Sequence, residues 1–166
     1  AWMPDNETNM FAASSRDHPI HIWDMKGKIW CSFVGRNDKD ELSSAFSIAF
    51  NNSGTKIYAG GCRSIRSWDV SQPQRVVQEL NVGKGQLGQK GILSTISFNP
   101  DRSGLFAAGS LNKSIGIYAD TSTDAILQLR GLDMGVTHLK WSPCGNMLWS
   151  CGQTHSDIVC HDIRRT

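Results

Sequence analysis

Two lysines and two glutamines lie in a glycine-rich run, NVGKGQLGQKG (81–91), at Lys84, Gln86, Gln89 and Lys90. Ammonium and amide donors on a pliant backbone suit contact with a phosphate. Glycine lets the main chain come close, and the side chains supply hydrogen bonds. Two more cations belong to the same inventory, Arg36 in GRNDKDEL and Arg63 in GGCRSIRSWD. Each has a plainer reading beside it. The run is also what a linker between two sheets looks like, and the acidic neighbours of Arg36 favour a local ion pair of small worth.

Other chemistries have less support. No serine elbow, phosphate loop, paired-histidine helix or carboxylate pair stands at a meaningful spacing, so no enzyme is expected. The five cysteines, Cys31, Cys62, Cys144, Cys151 and Cys160, are odd in number and form no CxxC pair. They read as buried, reduced thiols of an intracellular protein. Cys160 beside His161 comes nearest to a zinc site, and one pair does not make one. No metal, cofactor or small-molecule substrate is expected. A net charge of +2 with 19% charged residues is too balanced to make nucleic acid or membrane the default partner. The apolar runs fall well short of the roughly 18 residues that a membrane span needs. The opening AWMPDNETNM does not resemble a signal peptide.

The elements that must hold these residues follow from an internal repeat. Four units align on an aromatic or histidine near an aspartate: FAASSRDHPIHIWD (11–24), AFSIAFNNSGTKIYAGGCRSIRSWD (45–69), GILSTISFNPDRSGLFAAGSLNKSIGIYAD (91–120) and GVTHLKWSPCGNMLWSCGQTHSDIVCHD (135–162). The marks Trp23, Trp68, Tyr118 and His161 are separated by 45, 50 and 43 residues. A period near 40–45 belongs to propeller blades. No stretch keeps a helical apolar spacing for three turns. The expected architecture is all-β: a WD-repeat β-propeller of about four blades, some incomplete, over approximately 1–34, 45–80, 91–131 and 135–166. They would form part of a larger ring.

Each unit reads as four short strands. The first alternates, as in Phe46–Ile48–Phe50, and NNSG, NPDRSG or SPCG then reverses the chain. The second strand ends in small residues (IYAGG, LFAAGS, LWSCG), as expected for a strand near a crowded centre. Trp23-Asp24, Trp68-Asp69 and Trp141 sit at repeat-defined positions and are assigned to structure, with burial also expected for Trp2, Trp30 and Trp149. His138 reads as a structural histidine. The aspartate that WD blades place before the third strand is present as Asp17 and replaced by Cys62, Asn112 and His155 elsewhere. The Gly-His step before the first strand is absent, so the usual His–Asp–Ser/Thr–Trp relay is not expected. Unit one lacks a first strand and unit four a fourth.

Some strings are more particular than a generic blade. SSRDHPIHIWD, DEL (40–42) with AFS (45–47), GQLGQKGILSTISFNP, SIGIYAD and GVTHLKWSPCGN together resemble the telomerase Cajal body protein family. The likeness runs from about Trp2 to the end. It implies a propeller that binds RNA without catalysis: a scaffold holding H/ACA-type small Cajal body RNAs and telomerase RNA, with H/ACA ribonucleoprotein proteins as partners. It also implies residence in the nucleus, at Cajal bodies, and a role in telomerase trafficking and telomere maintenance. HDIRRT supports a different reading, a protein-interaction scaffold or substrate receptor of a cullin-type ubiquitin ligase, with Asp162 and Arg164 matching a Trp-Asp-x-Arg tail.

The loops expected on one face carry eight basic residues (Arg16, Arg36, Lys39, Arg63, Lys84, Lys90, Lys113, Arg130) and six acidic ones (Asp17, Asp38, Asp40, Glu41, Asp133, Asp157). That rim is only mildly positive. Sequence-specific RNA recognition relies on stacked, splayed bases and edge hydrogen bonds more than on bulk charge. Arg36, Arg63, Lys84, Gln86, Gln89 and Lys90 are the candidate RNA contacts.

Overall fold

The computed structural model describes residues 1–4, 9–37, 39–84, 88–101, 103–122, 124–129, 132–153 and 157–165. These residues form four antiparallel sheets. The first holds β1 (Phe11–Ala13), β2 (Ile20–Trp23) and β3 (Ile29–Phe33). The second holds β4 (Ser47–Phe50), β5 (Lys56–Gly60), β6 (Ser64–Asp69) and β7 (Val76–Asn81). The third holds β8 (Leu93–Phe98), β9 (Leu105–Ser110), β10 (Ser114–Ala119) and β11 (Leu127–Leu129). The fourth holds β12 (Val136–Trp141), β13 (Met147–Gly152) and β14 (Val159–Asp162). Among the described residues the one helical piece is a 3-10 turn, Ile163–Arg165. This is the all-β propeller architecture expected from the repeat.

Local chemistry explains the hairpins. NNSG, NPDRSG and SPCG each end on a glycine in the left-handed region, Gly54 (φ 70), Gly104 (φ 75) and Gly145 (φ 73). The tight reversal requires that conformation, and only glycine adopts it without a Cβ penalty. In the first of these turns the Asn51 side chain accepts from the Lys56 amide.

The sheets form wedges whose first strands point inward: β4 and β12 both pack on β8. The inner position in the second, third and fourth sheets therefore belongs to the first strand, a correction to the expectation for the second strand. Small residues on the second strand have a neighbouring reason. A Cβ on Gly109 would stand 2.6 Å from Val136 Cγ1, and one on Gly60 would stand 3.0 Å from Leu93 Cβ. Each glycine lets the next sheet's inner strand press close. The first sheet also gains a partner that was not expected. Ala1 and Met3 exchange backbone bonds with Ala12 and Met10, so 1–3 runs along β1 where the first strand would lie.

Three apolar clusters fill the spaces between successive sheets. Ile22, Phe33, Ile57 and Trp68 join the first two; Tyr58, Leu93, Phe106 and Tyr118 the next; Ile115, Val136, Trp141 and Leu148 the last. Each such side chain contributes about 1.5–3 kcal/mol on burial. Trp68 and Trp141 are buried, and the Trp141 indole donates to the Ser97 carbonyl at 3.0 Å. Trp23 is only partly covered. Trp2, Trp30 and Trp149 are exposed, contrary to expectation. So is His138, on β12. None of the five cysteines is buried either. Cys62 and Cys144 lie in turns and Cys160 on an outer strand, all exposed, because the repeat puts these positions outside the packed interfaces.

Candidate RNA-contact groove

The β5–β6 turn, the end of β7 and the loop leading into β4 meet at one end of the second sheet. The β6–β7 register sets Ser64 opposite Asn81, which carries the chain from Asn81 into Gly83 and Lys84 beside Cys62 and Arg63. Between them lies a groove of about 480 Å³, lined by Asn37, Arg63, Arg66, Glu79, Asn81 and Lys84 among others.

Arg63 occupies the left-handed region at φ 58, and its amide donates to the Gly91 carbonyl at 2.9 Å. Lys113 holds the same conformation (φ 60) in the corresponding turn of the third sheet. A tight turn between second and third strands thus thrusts a cation from the rim in both units. The Arg63 side chain lies across Gly83: a Cβ there would come within 3.0 Å of Arg63 Cβ. Lys84 is exposed at the end of the same turn. Among the described residues, neither the Arg63 nor the Lys84 side chain enters an ion pair or hydrogen bond.

The floor is different. Arg66 is largely buried and gives both Nε and Nη2 to Glu79 Oε1, at 2.9 and 2.7 Å. Sequence reasoning missed this pair. The signal was available, since Arg66 and Glu79 stand directly opposite across the β6–β7 ladder. Beneath two free cations the groove therefore has a neutralised floor, with Asn37 and Asn81 as its polar sides.

The remaining expected contacts are dispersed. Arg36 is exposed, donates to the Asp40 carbonyl at 2.8 Å and stands 3.4 Å from its carboxylate, so its charge is held within its own loop. Its neighbour Asn37 reaches the groove instead. Lys90 is exposed and precedes Gly91, the acceptor for Arg63. Gln86 lies outside the described residues. Gln89 is fully buried, and its amide bonds the Ala108 and Ser114 carbonyls and the Tyr118 hydroxyl. Its side chain faces inward, so as a contact residue it is corrected to a structural one. Arg164 spends its guanidinium on Asp162, at 2.9–3.0 Å.

No family model matches the chain. Curated relatives do. Mouse telomerase Cajal body protein 1 is 36% identical over 96% of this chain and 30% of its own length. The human protein of that name is 35% identical over 96% of this chain and 29% of its own. Among solved structures, a chain of the mitotic checkpoint complex superposes with a TM-score of 0.77 at 18% identity, over 98% of this chain and 46% of that one, a likeness of fold. By sequence, this chain is a WD-repeat relative of the telomerase Cajal body proteins, matched to about 30% of their length.

Proposed function

We propose that this chain forms part of an RNA-binding scaffold that holds H/ACA-type small Cajal body RNAs and telomerase RNA and directs their ribonucleoproteins to Cajal bodies in the nucleus. The names of its relatives support the telomerase and Cajal body parts of that reading. The groove supports the RNA part. Among the described residues the Arg63 and Lys84 side chains have no internal partner, and they line a groove of about 480 Å³; Lys90 directly precedes Gly91, the acceptor for the Arg63 amide. Guanidinium planes stack on bases and ammonium groups meet phosphates, which suits single-stranded loops better than a duplex.

The test is a titration with a labelled H/ACA hairpin-loop RNA against the unaltered chain and the Arg63→Glu/Lys84→Glu double variant. The reading expects binding weakened by about tenfold or more, a salt dependence shallower by about one to two phosphate contacts, and an unchanged melting temperature. Equal affinity for both chains, or equal affinity for a scrambled RNA, would count against it.

A further inference from the structure

At the opposite end of the second and third sheets lies a cavity of about 360 Å³, lined by Asn51, Asn52, Ser53, Phe98, Gly104 and Asp120. Its carboxylate is out of step with the repeat. In the second sheet Trp68 is followed by Asp69 and then Val70. In the third, Tyr118 is followed by Ala119 and then Asp120. The backbone confirms the alignment: the Val70 amide donates to Thr55 O at 2.9 Å, and the Asp120 amide donates to Gly104 O at 3.0 Å. Val70 is buried in the apolar cluster of its sheet. At the matching place the third sheet carries a charge.

The other strand-end aspartates are occupied. Asp24 accepts the Lys26 and Lys28 amides, Asp69 the amide and hydroxyl of Ser71, and Asp162 binds Arg164. Among the described residues, the Asp120 carboxylate receives no hydrogen bond or ion pair. A one-residue shift along a strand turns a side chain to the other face, and here it turns the carboxylate into the cavity.

The cavity's polar atoms are unbalanced. Its side-chain donors are engaged internally: Asn52 Nδ2 on the Asn99 carbonyl, Asn51 Nδ2 on Ser53 and Thr55, and the Ser53 hydroxyl paired with that of Thr55 at 2.8 Å. What remains are acceptors, Asn52 Oδ1 and the Asp120 carboxylate, beside the Phe98 ring. Phe98 is held edge-on to Tyr58 at 4.9 Å. A ligand for this site must bring several donors, no acceptors, a positive charge and a face that lies against an aromatic ring. Guanidinium has all four: five N–H donors in a planar fork and an affinity for aromatic faces.

We propose that this cavity is a recognition pocket for an arginine side chain of a partner polypeptide, paired with Asp120 and laid against Phe98. It is separate from the groove and independent of the RNA reading.

The experiment is an amide chemical-shift titration of the full chain with N-acetyl-arginine-N-methylamide, its citrulline counterpart as a neutral isostere, and its lysine counterpart. Saturable shifts at Asn52, Phe98 and Asp120 with the arginine probe are expected. They should weaken by about tenfold or more in Asp120→Asn, since a bond to a charged group is lost. Among the described residues the Asp120 carboxylate has no hydrogen bond or ion pair, and its charge acts only on the neutral Tyr58 phenol, so that variant should melt with the parent; Phe98→Leu should weaken binding by a smaller factor. Citrulline binding as well as arginine, or arginine binding untouched in Asp120→Asn, would overturn the proposal. Lysine binding equally well would overturn the assignment to guanidinium.

Discussion

The hydroxyl of Tyr118 donates to Gln89 Oε1 at 2.8 Å, with both residues withdrawn from solvent. Gln89 comes from the segment before β8 and Tyr118 from β10, so the bond ties an entering segment to the third strand of the sheet. The Gln89 amide nitrogen adds the Ala108 and Ser114 carbonyls, on or beside β9 and β10. The usual His-to-Trp relay of a WD blade is missing from this sequence, and a Gln–Tyr pair does the equivalent tying here. Strand ladders and burial are therefore not the whole source of cohesion. Burial raises the Tyr118 phenol well above its ordinary range, which keeps it a donor at any physiological pH.

Removing both partners should cost less than the two single removals added together. Tyr118→Phe leaves a buried acceptor unmet and should lose about 1–3 kcal/mol. Gln89→Leu strands the Tyr118 hydroxyl as well as the two carbonyls, and should lose more. The Gln89→Leu/Tyr118→Phe double variant should lose less than the sum, a coupling readable from urea unfolding of the four chains. Strictly additive losses would mean that the bond contributes nothing.

The inter-sheet glycines make a second prediction. Gly109→Ala drives a Cβ to within 2.6 Å of Val136 and 2.7 Å of Thr95, and overpacking of this sort costs about 1–3 kcal/mol. Gly27 has positive φ and open space around it, so Gly27→Ala should cost only the backbone strain, about 1 kcal/mol. Asparagine tolerates that conformation, so Gly27→Asn should recover most of the loss and Gly109→Asn none of it. Thermal melts of the four variants would decide.

The fourth sheet should respond to pH. His161 Nε2 lies 3.0 Å from Ser150 Oγ, and partial burial holds the imidazole below its ordinary 6.5. The folded state then binds fewer protons than the unfolded chain. Its stability is complete above about pH 6.5 and falls as the pH drops through that value toward the lowered one. A fall in melting temperature between about pH 7.5 and pH 5 is expected, and His161→Gln, which keeps a hydrogen-bonding group but cannot titrate, should lose most of that fall. An identical fall in both chains would place the titrating group elsewhere.

How much was legible depended on whether a feature was periodic. Alternating apolar residues, glycine-closed turns and recurring Trp-Asp steps establish the sheets from the chain alone, because strand and turn preferences act over a few residues. Arg63 was legible as a rim cation for the same reason: the repeat says which turn it occupies. Gln89 was not. In a glycine-rich run its amide looks like an exposed donor, and only Ala108, Ser114 and Tyr118, 19 to 29 positions away, make it structural. Arg66 was overlooked because its worth depends on Glu79 in the next strand.

The chain by itself thus determined its elements, their order and the family it resembles, since those follow from local preference and from strings of adjacent residues. The tertiary structure decided which polar side chains are spent and which remain available. It placed Gln89 inside and, among the described residues, left the side chains of Arg63, Lys84 and Asp120 without a hydrogen bond or ion pair. That distinction rests on register between strands and on the approach of neighbouring sheets, which bring together atoms that no local preference relates.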